Sequence, residues 1–524
     1  MRISLIHSNW YNTMYSSLQD LNQEVFWTQM VVFCFIAAAA VVNALLMYYA
    51  EQWFSINWIE WLNRNLLDKW LDNQAYYKVQ QSVELDNKLD NPDQRIQQDV
   101  QHYVKHSLTL ATGVIASVSS IVSFTILLWG LAGSMTVMGV EIPKMMVFLV
   151  FIYVIIATVI AVWLGKPLIK LNFDNEKFNA DYRYSLIRVK EYAESIAFYA
   201  GERVERNVLY RQFNKVIGNM WDIVYRTLKF SGFNLVVTQI SVVFPLLIQV
   251  GRYFAGNIKL GDLMQTMQVF GRLHGNLSYF RNVYDTFASY KATLDRLTGF
   301  ERVINASTDM KGIDVTYHEM DVIFEDVTVK TPSDKVLIDK LNLSLPQGSR
   351  LLIQGKSGLG KTTLLRTVAG LWVWADGHVT RPDDALFLSQ KPYLPQGRLI
   401  DMLYYPHAVP EQADGRMIHE LLHTVQLGHL VDKIYHEYDW THALSLGEQQ
   451  RLAMARVMLH RPKVVFLDEA TASMDEGLED AMYRTLQGLT NTTLISVGHR
   501  STLLKYHHTR LEVMGDGAWQ VVKI

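Results

Sequence analysis

The chain has 524 residues, a formal net charge of −2, 12% aromatic residues and a single cysteine. This length allows two or three domains, each with its own core. The balanced charge gives no footprint for nucleic acid, and the lone Cys34 excludes an intrachain disulfide framework.

The opening residues MRISLIHSNWYN lack the apolar core and small-residue cleavage site of a signal peptide. Charge-free stretches follow. No Asp, Glu, Lys or Arg lies between Glu24 and Glu51, Lys105 and Glu141, Lys144 and Lys166, or Lys229 and Arg252. Each is apolar and long enough to cross a bilayer, which takes about 20 residues. One ionised residue at the centre of such a helix would cost about 3 kcal/mol. Taken alone, one stretch reads as a buried helix of a soluble protein; four together read as membrane spans. A fifth segment, at about 263–290, carries Arg272, His274 and Arg281, so as a span it must face a polar cavity. The 13 tryptophans suit a membrane interface.

The long loops 51–106 and 166–229 hold most of the Lys and Arg of this half, which places them on the cytoplasmic side. Five spans with a cytoplasmic C-terminus leave the N-terminus outside, and no export signal explains that. The expectation is a further helix upstream, or a shortened protein.

Beyond residue 300 the texture changes. A polar connector, NASTDMKGIDVTYHEM, leads into short β-branched runs alternating with helical patterns. The expected division is a membrane region at 1–300, a linker at 301–320 and an ATPase domain at 321–524. The expected fold is an all-α transmembrane bundle followed by an α/β P-loop domain on a mostly parallel sheet.

The chemistry concentrates in that second part. A strand at 350–354 runs into Gly355, Lys356, Ser357, Gly358, Leu359, Gly360, Lys361 and Thr362, with Thr363 next, a complete G-x-x-x-x-G-K-T. The glycines let backbone N–H groups curl around phosphate oxygens at a helix N-terminus. Lys361 would reach the β- and γ-phosphates of ATP, and the Thr362 hydroxyl would ligate Mg²⁺. The apolar run 464–467 ends in Asp468 and Glu469, an expensive ending for a buried strand unless a cation compensates it. Asp468 would hold the metal and Glu469 would be the general base for the attacking water. Ser445, Leu446, Gly447 and Glu448 open a further helix, an anion site that is equally a capping box from Ser445 to Glu448. His499 closes the run 493–498 and would face the γ-phosphate.

The order of P-loop, Gln390 after a strand, signature helix, Asp468–Glu469, the tetrapeptide Ala472-Ser473-Met474-Asp475 and His499 resembles an ABC-transporter nucleotide-binding domain. The resemblance implies that Gln390 senses Mg²⁺ or the attacking water. It also implies that Ser445, Leu446, Gly447 and Glu448 address ATP held by a second identical subunit. Two departures stand out: Leu446 and Glu448 replace the family's usual Gly and Gln, and the stretch Val329-Lys330-Thr331-Pro332 lacks the aromatic that usually stacks on adenine. In the membrane half, Trp58-Ile59-Glu60-Trp61-Leu62, Asn91-Pro92-Asp93-Gln94-Arg95-Ile96 with Asp99, and 191–202 around Glu194 and Gly201 resemble SbmA/BacA-like bacterial transporters and their ABCD-type relatives. That likeness implies a homodimer in the bacterial inner membrane, with 191–202 as its coupling segment. The cargo implied is a peptide, a cobalamin-like or a fatty-acyl compound. A membrane-bound regulator that hydrolyses ATP without moving cargo is the alternative reading.

Overall fold

The computed structural model describes residues 2–82, 92–133, 135–137, 140–308, 310, 312–318 and 320–524. Asn91 of the membrane-half motif, and Asp309, Lys311 and Glu319 of the connector, lie outside these residues. The chain forms two compact units. One comprises 1–68 with 91–301, the other 69–90 with 302–524.

The first unit is helical: α1 (Arg2–Gln19), α2 (Gln23–Leu71), α4 (Val100–Leu131), α5 (Met145–Glu191), α6 (Ala193–Phe198), α7 (Glu202–Phe254), α8 (Leu260–Leu277) and α9 (Tyr284–Thr308), while α3 (Ala75–Ser82) belongs to the second unit. The four charge-free stretches lie on α2, α4, α5 and α7, each long and apolar enough to cross a membrane. At 1.5 Å per residue, α2, α5 and α7 run to about 70–80 Å, more than twice a bilayer's apolar thickness. Charged residues fill the excess length, at the C-terminal ends of α2 and α5 and the N-terminal end of α7. Large apolar side chains such as Phe35, Ile115, Trp163 and Leu235 point outward, as lipid contact requires. α5 contains Pro167 and α7 contains Pro245.

Two elements differ from the sequence reading. The segment at 263–290 is broken at Ser278 and Val283, with a short turn of helix at Tyr279–Asn282 between α8 and α9. α9 then continues to Thr308, because neither Gly nor Pro interrupts 300–308 of the expected linker. In addition, α1, which was not counted as a span, packs along α8. There the Asn12 amide donates to Asp262 Oδ1 and Gln265 Oε1, both at 2.8 Å. α9 is held by a buried ionic cluster. Asp99 accepts from Arg296 at 2.7 and 2.9 Å and from Arg95 at 2.7 Å.

The second unit is built on two sheets. The strands are β1 (Asp314–Tyr317), β2 (Val322–Lys330), β3 (Val336–Leu345), β4 (Arg350–Gly355), β5 (Ala375–Arg381), β6 (Ala385–Leu388), β7 (Val464–Asp468), β8 (Thr493–Val497), β9 (Thr509–Gly515) and β10 (Ala518–Lys523). The larger sheet has the order β10-β9-β4-β8-β7-β6, parallel except for the β9–β10 hairpin, and the smaller has the order β1-β5-β2-β3. β7 and β8 are buried along almost their whole length, as strands covered on both faces must be. Helix α10 (Lys361–Val368) buries Leu364, Leu365 and Val368 in the core that both sheets share. A second core surrounds α11 (Leu446–His460) and α12 (Glu476–Gln487). Residues 69–82, which the sequence division places with the membrane region, cluster here, where the Gln81 amide donates to Leu371 O at 3.0 Å.

The Asp99 cluster gives the first test. Asp99→Asn leaves two guanidinium groups facing each other and is expected to cost about 3 kcal/mol. The effect should appear as a lower apparent Tm in detergent and faster hydrogen exchange across 95–104. Unchanged exchange there would show that the ion pairs do not hold α9.

Candidate ATP-binding and hydrolysis site

Strand register assembles the site. In the parallel ladder Ile353 pairs with Val497, Val497 with Asp468, and Leu467 with Leu388. The residues just past these pairs are the P-loop, His499, Glu469 and Gln390, so four motifs separated by up to 144 positions leave the sheet at one edge.

Gly355 has φ +149°, and a Cβ there would lie 2.5 Å from Val513 O, while Gly360, at φ +92°, caps α10. Neither position admits another residue without strain. Lys356, Ser357 and Gly358 are exposed at the tip of the loop. Lys361 folds back over the loop, its ammonium donating to Gly355 O at 3.0 Å and Lys356 O at 2.9 Å. Burial lowers its pKa, partly offset by Glu469 and Asp468. A phosphate would remove that penalty by supplying negative charge and oxygen acceptors.

The Thr362 hydroxyl donates to Asp468 Oδ1 at 3.0 Å. Burial raises the Asp468 pKa, and the neighbouring Glu469 charge adds to the rise. A hydroxyl beside a carboxylate that carries a desolvation penalty suits Mg²⁺, which takes few protein oxygens and completes its shell with phosphate and water. Glu469 sits at φ +50°, a left-handed conformation uncommon outside glycine, and its N–H is held by Val497 O at 3.1 Å. His499 Nε2 lies 3.1 Å from Glu469 Oε1. The turn after β7 therefore aims the carboxylate back at the next strand's loop.

At the signature, the expected capping box is present and tight. Ser445 N and Oγ donate to Glu448 Oε2 at 2.9 and 2.7 Å, and Glu448 N returns a bond to Ser445 Oγ at 3.4 Å. Burial opposes ionisation of Glu448, but the Ser445 bonds, with help from His429 and Arg451, hold its pKa below the usual range. Its carboxylate thus occupies the donors that would face a phosphate. Leu446 is exposed at the helix start. No hydrogen bond joins 445–448 to the P-loop among the described residues.

Three features escaped sequence reasoning. Leu337 borders the P-loop, its Cβ 3.0 Å from where a Cβ on Gly360 would be. Gln450 and Arg500 tie the motif loops together through bonds to backbone atoms. No local pattern marks any of the three.

A P-loop ATPase domain joined to a bundle of membrane-length helices defines a membrane ATPase. The family description "ABC transporter transmembrane region 2" matches residues 1–254 and "ABC transporter" matches 338–472. An uncharacterized ABC transporter ATP-binding protein of Haemophilus influenzae is 63% identical over 100% of this chain and 88% of its own length. The chloroplastic ABC transporter D family member 2 of Arabidopsis thaliana is 31% identical, covering 95% of this chain and 79% of its own. A bacterial Atm1-family ABC exporter, solved with ATP bound, superposes with a TM-score of 0.77 at 16% identity, over 98% of this chain and 91% of that one. The chain belongs to the ABC transporters, with a transmembrane region fused to an ATP-binding domain that couples hydrolysis to transport.

The raised Asp468 pKa has a definite sign. As pH falls, Asp468 takes up its proton before an exposed aspartate would, and a protonated Asp468 cannot bind a cation. The Mg²⁺ concentration for half-maximal ATPase activity should therefore rise on acidification, with a midpoint above that of an exposed aspartate. Asp468→Asn should need more Mg²⁺ at every pH and lose that dependence. A wild type whose Mg²⁺ requirement is flat with pH would contradict this assignment.

Proposed function

We propose that the chain works as a homodimer in a bacterial inner membrane, closing two Mg²⁺·ATP molecules between its ATPase domains to move a polar or anionic cargo. The observation that carries this reading is the separation of the motifs. Thr362, Asp468, Glu469 and His499 meet at one sheet edge, while Ser445 and Gly447 have no bond to the P-loop among the described residues. One chain holds one P-loop and one signature helix. A two-fold related copy lets each signature complete the other's site.

Within the site the residues divide the work. The P-loop amides at 355–363 and Lys361 hold the phosphates. Thr362, Asp468 and the Gln390 side chain would hold Mg²⁺, which would supply positive charge beside the transferred phosphoryl group. Glu469 accepts the proton of the attacking water, and His499 fixes one of its oxygens. Glu448 must release Ser445 before a partner-held phosphate can take its place.

Cargo of a peptide, cobalamin-like or fatty-acyl kind fits the membrane unit's interior. Arg281 and His274 are 8% and 6% exposed, and Arg281 Nε and Nη1 and His274 Nε2 are unpartnered among the described residues. A buried unpaired cation is costly, and an anionic group on the cargo would relieve it. No observation favours a sensor that hydrolyses ATP without cargo.

ATP turnover in lipid vesicles tests the catalytic part. Glu469→Gln should lower kcat by about 10²–10⁴-fold while nucleotide binding persists. Equal turnover by wild type and variant would remove Glu469 from the base role. Glu448→Gln, by taking a negative charge away from the phosphate position, should lower the ATP concentration for half-maximal activity by about two- to fivefold. An increase in that concentration would show that the carboxylate helps rather than competes.

A further inference from the structure

The two ends of a triphosphate held in the P-loop must lie on opposite sides of strand β4. In the order β10-β9-β4-β8-β7-β6, the strands that lead to His499, Glu469 and Gln390 all stand on one side of β4. The terminal phosphate belongs over that side, where Thr362 meets Asp468. Sugar and base are left the other side. There β9 runs beside β4, and the start of β3 meets the β9–β10 turn through a bridge between Ile338 and Gly517. The side chains that stand there decide which base is accepted.

They are aliphatic. Leu337 is half-buried, and its Cβ and Cδ1 stand 3.0 Å from where a Cβ on Gly360 would be, so it lies against the last glycine of the P-loop. Val336 is similarly placed at the β9–β10 turn, its Cγ1 3.3 Å from a Cβ on Gly517. The polar side chains of the neighbouring β2–β3 turn are spent on one another. Thr331 Oγ1 accepts from Lys335 N at 3.1 Å and pairs with Ser333 Oγ at 2.9 Å. Lys330 Nζ lies 3.1 Å from Asp376 and 3.8 Å from Asp334. The tryptophans of this region are engaged as well. Trp372 donates from Nε1 to Lys330 O at 2.8 Å and meets Trp374 edge-on, and Trp519 donates from Nε1 to Asp339 O at 2.8 Å.

We propose that the nucleoside rests on Leu337 and that the site accepts purine and pyrimidine triphosphates with little regard to the base. Adenine, guanine, cytosine and uracil differ in the donors and acceptors along their ring edges, which a leucine cannot read. Hydrogen-bonded recognition separates such groups by about 10⁴–10⁵-fold, whereas a difference in apolar contact yields only about 10–200-fold. Affinity comes instead from the phosphates, which all four nucleotides share and which Lys361 and the loop amides hold. Leu337 contributes area without direction, and it sets a shallow selectivity by how much of each base it covers. This inference rests on the reading of residues 355–363 as the nucleotide site.

The test uses the full-length chain in detergent with Mg²⁺, and follows displacement of trinitrophenyl-ATP by ATP, GTP, CTP, UTP and inorganic tripolyphosphate. The four nucleotides should compete within about fivefold of one another. Leu337→Ala should weaken all four by about two- to fivefold and leave tripolyphosphate unchanged, because it removes area from the nucleoside side alone. Steady-state hydrolysis should give kcat values within about twofold across the four, since the base takes no part at the reacting phosphate. A wild type that binds ATP more than about twentyfold tighter than each of the others overturns base tolerance and leaves the ATP site standing. A Leu337→Ala protein with unchanged nucleotide affinity removes Leu337 from the site. One that loses tripolyphosphate as strongly as ATP shows that Leu337 only shapes the P-loop, which also overturns the proposal. Failure of every competitor, tripolyphosphate included, removes the nucleotide-site reading and this inference with it.

Discussion

The backbone pairing of four parallel strands, β4, β8, β7 and β6, is the constraint on which the nucleotide site depends. Parallel pairing fixes where each strand ends relative to its neighbour, and all four C-terminal ends fall at one edge. A slip of one residue between β7 and β8 would turn Asp468 to the other face and separate Glu469 from His499. The continuous burial of Val464–Leu467 against Thr493–Val497 is what prevents that slip, because both faces of these strands are filled. Catalytic geometry is thus a by-product of core packing. The apolar strand interiors hold the register, and the polar residues ride on the ends.

That edge carries electrostatic tension. A buried ammonium and a partly desolvated carboxylate face each other across the P-loop, each shifted towards its neutral form by burial. In the proposed function Mg²⁺·ATP would bring both partners, anionic oxygens for Lys361 and a cation for Asp468. Much of the affinity for the nucleotide can come from relieving these penalties, which is preorganisation in its electrostatic form. The signature helix shows the opposite arrangement. Its N-terminus is already satisfied by its own Glu448, so engaging a phosphate there requires an exchange of one anion for another.

The sequence made some of this legible and hid the rest for physical reasons. Membrane-length helices show themselves through missing charge, since the cost of one buried ion is large on the scale of a span. The P-loop is contiguous, so its chemistry is visible in eight consecutive residues, and the Ser445–Glu448 box is visible because its partners lie three apart. The Gln450 bridge joins residues 60 and 23 positions away through backbone atoms, which carry no residue identity for a pattern to detect. Helix α1 was missed because it is too polar to stand out, its Asn12 and Trp10 being satisfied by α8 and α2 rather than by lipid. The break at Ser278 falls three residues after Gly275, a residue type that also recurs inside unbroken helix in this segment and so does not mark it.

Pro167 gives α5 a property beyond its length. It stands one residue after Lys166, where the charge-free stretch ends and the water-exposed half begins. Proline removes one backbone hydrogen bond and weakens the helix against bending at that turn. The carbonyl of Trp163, left without its usual donor, lies within one turn of Lys166, the first charged residue after the apolar stretch. The helix therefore has its weakest backbone ladder where its apolar stretch gives way to charged residues. Bending of α5 is therefore easiest at the step from its apolar to its charged half.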